Sequence, residues 1–223
     1  MKSQLLKIFV ISFVISFVSC KKEKVSLDEY KYTDKGVVLN CENINSQLYN
    51  EALFAFENDM INFYSNGKPS IVRAYSQFVR QAVSGRIKYE EMVSPHTVKV
   101  FNVLKSEPDL WDATNPNSHL NYKSNIFNCI ASNIQSKDLS TTLNALVSTN
   151  SMSPKLFGSP LTSNYSQAVR DKYLSAYMAF DLFYAKLFDV DLSNLNMNET
   201  EENVDFNNIP KETTPDPHAG HNH

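Results

Sequence analysis

Three of the five histidines of this 223-residue chain fall in its last six positions: His218, His221 and His223. Neutral imidazoles suit zinc, copper or nickel, and a short polar segment with Asp216 nearby can fold three of them round one ion. Such a tail either collects metal or is a polar end that takes metal only incidentally. The other two histidines, His96 and His119, stand alone. Neither belongs to an H-E-x-x-H or an E-x-x-H, and a ferritin-like di-iron site needs such pairs on facing helices. Both are read as surface or capping residues. Asp59 is the one acid inside an apolar helical stripe. It is a perturbed carboxylate in a pocket, half of an ion pair with Arg73, Arg80 or Arg170, or a partly exposed edge. Arg73 and Arg80 share a polar face with Gln77 and are candidate partner contacts. Trp111, alone among polar residues, is a third candidate: a binding anchor or a plug for the end of a bundle. No catalytic constellation accompanies these residues, and the chain is not read as an enzyme.

The rest of the composition narrows the field by exclusion. The five glycines (Gly36, Gly67, Gly85, Gly158 and Gly220) are dispersed. That removes a P-loop, a dinucleotide fingerprint and a G-x-S-x-G elbow. A formal net charge of −3 argues against a dedicated nucleic-acid binder, and 12% aromatic residues argue against a disordered chain.

The elements that position these side chains are helices. All nine prolines lie at or after Pro69, and three follow a serine: Ser94-Pro95, Ser153-Pro154 and Ser159-Pro160. A serine cap followed by proline in the first turn is a helix start, because the hydroxyl meets an orphan N–H and proline has none to orphan. Tyr49, Leu53, Phe56, Met60 and Phe63 form one apolar stripe and predict a helix over 45–66 that Asn66-Gly67 stops. Further helices are predicted over 70–84 (ended by Gly85), 94–107, 121–135, 138–149 and 163–189. The last is the longest and has apolar residues on more than one side. A pattern shared by Ala52-x-x-Ala55-Phe56-Glu57 and Ala176-x-x-Ala179-Phe180-Asp181 suggests that the first and last helices pack together, small residues permitting close approach. Chance would also produce it. No strand pattern competes and no repeat recurs.

The beginning of the chain has its own pattern. Lys2 and Lys7 precede an apolar run, Ile8 to Val18, that is too short to cross a bilayer and suits a signal peptide. It ends at Phe17-Val18-Ser19-Cys20. Here the chain resembles a bacterial lipoprotein. The resemblance implies cleavage before Cys20, acylation of its thiol and new amino terminus with palmitate-like chains, and firm membrane attachment. Lys21 in place of an aspartate after the cysteine implies the outer membrane, and its periplasmic face is favoured over the cell surface. Loss of Lys2 and Lys7 takes the formal charge from −3 to −5. Export also places Cys41 and Cys129 in an oxidising compartment, as one disulfide or as two buried thiols.

The expected architecture is all-α: one irregular bundle of about six helices. Residues 1–19 are read as signal, 20–41 as a lipid-anchored extended tether, 42–192 as the helical domain and 193–223 as an acidic, His-ended disordered tail. The expected function is that of an accessory or binding subunit of a Gram-negative outer-membrane complex. Its partner would be an integral outer-membrane protein or another envelope lipoprotein engaged in assembly, secretion or import. The alternative is a periplasmic lipoprotein that handles metal or a small ligand through the His tail.

Overall fold

Serine decides where most of the helices begin. In the computed structural model, residues 25–64, 68–195 and 204–205 are described. The signal segment, Cys20, Asn66-Gly67 and the three tail histidines lie outside them. The first helix, α1, is Ser46–Tyr64. α2 (Ile71–Val83) starts where Ser70 Oγ accepts from the Arg73 N–H. α3 is the single turn Tyr89–Met92. α4 (Pro95–Leu104) is capped by Ser94 and carries proline in its first turn, as its sequence predicts. α5 (Asn125–Asn133), α6 (Lys137–Ser148) and α7 (Pro154–Asn164) are capped in the same way by Ser124, Ser136 and Ser153. α8 (Lys172–Tyr177) begins at Asp171, whose carboxylate accepts from the N–H groups of Tyr173 and Leu174, both at 3.1 Å.

The described residues are all-α, with eight α-helices where about six are expected. The largest departure concerns the predicted helix over 163–189. The chain there leaves α7, makes a 3-10 turn over Tyr165–Val169, and starts again only at the Asp171 cap. α8 then runs on as a π-helical turn, Met178–Phe183, and a 3-10 turn, Tyr184–Asp189. The extra residue of a π turn re-aims the side chains beyond it. Tyr184 is then fully buried, and its hydroxyl donates to the Ala52 carbonyl of α1 at 2.9 Å.

α1 is the hub. Its apolar stripe suggests one buried face, yet it is buried almost all round, Glu51, Glu57, Asn58 and Asp59 included. Helices rarely tolerate this unless every inward polar group finds a partner. α1 packs against α2 and α4, and against the π turn that follows α8. The Tyr49 and Phe180 rings meet edge-on at 5.4 Å, and Phe56 meets Phe183 at 5.2 Å. The Ala52–Glu57 and Ala176–Asp181 segments are thus neighbours at the centre of the molecule.

The stretch read as an extended tether differs from Leu27 onward. Leu27, Tyr32, Leu39 and Cys41 are buried. Two α1 side chains hold this strap through its backbone. Asn50 Oδ1 accepts from the N–H groups of Val38 (2.7 Å) and Leu39 (3.2 Å). Glu51 accepts from those of Lys31 (2.6 Å) and Tyr32 (3.1 Å). A 3-10 turn, Thr33–Lys35, lies within the strap, and Gly36 ends that turn with a φ of 70°. At the other end Val204, inside the stretch read as a disordered tail, donates its N–H to Asn58 Oδ1 at 2.8 Å.

Candidate functional site

Five carboxylates, Glu51, Glu57, Asp59, Asp171 and Asp181, are buried among the described residues, and each accepts at least one hydrogen bond. Glu57 accepts from Tyr75 (2.6 Å), Ser175 (3.0 Å) and both ways from Lys172 (2.6 and 2.8 Å). The Tyr75 and Ser175 hydroxyls also bond each other. A serine, tyrosine and lysine around a carboxylate have the residue types of a catalytic centre, but Ser175 and Tyr75 are fully buried. Asp181 accepts from Tyr122 (2.9 Å) and Tyr177 (2.8 Å). Burial nonetheless holds its carboxyl above the usual range, against the opposing pull of its hydrogen bonds. Burial likewise pushes the Tyr75, Tyr177 and Tyr184 phenols well up. Among the described residues no fully enclosed side-chain polar atom lacks a hydrogen-bond partner. These clusters bind the helices to one another.

The residues singled out by sequence scatter over this frame. His96 is not at the surface: it is 4% exposed, and its Nε2 lies 2.6 Å from Glu51 Oε1. Pro95 starts α4 so that His96, in the first turn, turns inward onto α1. His119 is half-buried at the surface, 3.1 Å from Asp189. Asp59 is buried, and the Ser94 N–H donates to it at 3.0 Å, so α1 helps to fix the start of α4. Arg73, Gln77 and Arg80 lie exposed on α2. Cys41 and Cys129 are joined as a disulfide, with Cα atoms 5.9 Å apart. Among the described residues no three His, Cys, Asp or Glu side chains are grouped to hold a metal ion. No family model, no curated protein and no solved structure matches the chain. What the protein binds has to be read from its own surface.

Among the described residues, two clefts stand out. The first, about 360 Å³, lies between α4 and the last turn of the core, lined by Val98, Phe101, Leu187, Phe188, Val190 and Leu192, with Asn102 and Lys105 at its rim. Phe188 is 37% exposed although three aromatic rings surround it. Phe101 meets it at 5.1 Å, Trp111 at 5.0 Å and His119 at 4.8 Å. Trp111 is fixed by its indole N–H, which donates to the Leu104 carbonyl at 2.8 Å. The Lys105 ammonium stands 5.0 Å from the centre of the Phe101 ring. The second cleft, about 260 Å³, is more polar. It lies where the strap, the segment after α4 and the start of α5 meet.

The sequence missed Glu51, Glu57 and Asp181 because acids at helical spacing read as solvated faces. The available signal for Glu57 and Asp181 was their position one residue after the stripe residues Phe56 and Phe180. Phe188 was missed because an apolar residue at the end of a helix reads as core.

Proposed function

We propose that this chain is a lipid-anchored accessory subunit at the periplasmic face of a Gram-negative outer membrane. Cys20 is the anchor, and the helical body docks through the Phe188 cleft onto an integral outer-membrane protein. The observation that carries the docking is Phe188 itself, a large aromatic left open to solvent beside Trp111 and a lysine-topped Phe101. Aromatic anchors in a polar rim are the usual energetic centre of protein interfaces. The anchor rests on the basic start, short apolar run and Ser19-Cys20 of the sequence. Among the described residues no helix is long and apolar enough to cross a membrane.

Gentle detergent extraction followed by mass spectrometry tests the reading. One integral outer-membrane protein should co-purify with the intact chain and be lost with Phe188→Ala. Elution of the intact chain alone and monomeric under several extraction conditions overturns it. The three histidines in the last six residues support a second role for the same subunit, collection of zinc, copper or nickel. Zinc should bind the whole chain more tightly than a chain ending at Pro217. Equal affinity removes the metal role.

A further inference from the structure

We infer that the second cleft, walled by residues 43–45, 107–109 and 124–126, is a binding site for a small organic ammonium ion. Its floor is Tyr49, a residue only 2% exposed that lines the cleft, and its hydroxyl has no hydrogen-bond partner among the described residues. Among the described residues no fully enclosed side-chain polar atom lacks a partner, so this hydroxyl is not fully enclosed, and the cleft is the opening that Tyr49 lines. Burial and the negative charge of Glu107 push the phenol up, so it stays a neutral O–H.

The charge of the walls selects the occupant. Glu107 and Asp109 both line the cleft, and neither has an ion-pair partner among the described residues. No lysine or arginine lines it. The N-termini of α1 and α5 meet here and would favour an anion. Each is already closed by a side chain: Asn45 Oδ1 accepts from the Leu48 N–H at 3.3 Å, and Ser124 Oγ from the Phe127 N–H at 3.2 Å. Two full negative charges outweigh two partial positive ones. The size selects a molecule over a bare metal ion. About 260 Å³ holds roughly nine waters at ~30 Å³ each, and Ile44, Pro108 and Ile126 give it apolar sides. The walls are braced. Asn43 and Asp109 hold left-handed backbone, with φ of 57° and 62°. The Cys41–Cys129 disulfide pins the strap beside Asn43 to α5. An ammonium group would donate to Glu107 and Asp109 and to the Tyr49 oxygen, with a short hydrocarbon body against the apolar walls.

Calorimetric titration of the full-length, detergent-solubilised protein at neutral pH tests this. The probes are 1,4-diaminobutane, uncharged 1,4-butanediol, succinate and calcium chloride. The diamine should bind and the other three should not. Glu107→Gln should weaken diamine binding about tenfold, as expected for loss of one charge-assisted hydrogen bond. Tyr49→Phe, which keeps the ring and its packing on Phe180, should weaken it several-fold at an unchanged melting temperature. Absence of diamine binding at about 10 mM, a diamine affinity unmoved by Glu107→Gln, or preferential binding of succinate or calcium would each overturn the inference.

Discussion

A carboxylate with no exposed surface is tolerated only while its lone pairs are met. Glu57 is in that state, held by Lys172, Tyr75 and Ser175. Lys172 is itself 24% exposed at its side chain, so it carries charge from the surface to the core along its stem. Lys172→Met should cost about 3–5 kcal/mol, because it strands the Glu57 charge. Adding Glu57→Gln to that variant should recover a large part of the loss. Urea unfolding of the two variants measures both, and equal stabilities would show that Glu57 does not need the lysine. Asp181 gives a pH test of opposite sense to an ordinary salt-bridged acid. Its folded pKa is raised, so the native state holds the proton more tightly than the unfolded chain does. Its contribution to stability is therefore greatest in acid. It falls as pH rises from the ordinary carboxyl value of 3.8 through the raised one. Asp181→Asn cannot ionise. Relative to it, the natural chain should lose stability across that window, and parallel denaturant midpoints at acid and neutral pH would refute the assignment.

At the scale of elements, the contact of α2 with α7 depends on a missing side chain. A Cβ on Gly158 would sit 2.6 Å from Val83 Cγ1. Gly158→Ala should therefore destabilise by about 1–2 kcal/mol despite the helix propensity that alanine adds. In a Val83→Ala background the same change should be neutral or favourable, and a double-mutant cycle reads the coupling. Simple additivity would mean the two helices do not meet there. Serine followed three residues later by a donated N–H is a local pattern, and Ser94-Pro95 announces α4; Ser153-Pro154 carries the same start signal, but no helix is predicted over α7, and Ser159-Pro160, read as another start, lies inside it. The break at Asp171 was not legible. Val169, Tyr173, Ala176 and Phe180 keep helical spacing straight across it, and only the aspartate's bonds to Tyr173 and Leu174 mark the restart. His96 was hidden for a related reason: a first-turn histidine after proline faces outward unless another element brings it an acid, and Glu51 lies 45 residues away in sequence. The candidate clefts were less legible still. Tyr49 reads as core from its spacing, and only the meeting of three distant segments turns it into a floor.

At the scale of the whole molecule, the strap changes how an anchored body would sit on its membrane. Residues 20–41 free throughout would let the body reach about 75 Å from a lipidated Cys20, at ~3.6 Å per residue. The strap is buried on the body from Leu27, seven residues after Cys20. That leaves a reach of about 25 Å at most. Glu51, Asn50 and the Cys41–Cys129 disulfide enforce the shortening from the body side. The lipid would then present the body, and its Phe188 cleft, within one small-domain width of the bilayer. A partner embedded in the same membrane meets it at high effective concentration. A flexible insertion of about twenty glycines and serines after Lys24 leaves every described contact of the strap in place but restores the long reach. It should lower co-purification of the membrane partner several-fold without moving the melting temperature, whereas Cys20→Ser should release the folded body from the membrane fraction altogether. Unchanged recovery with the insertion would mean that docking does not use the anchor's proximity, and retention of the Cys20→Ser chain in membranes would remove Cys20 as the anchor.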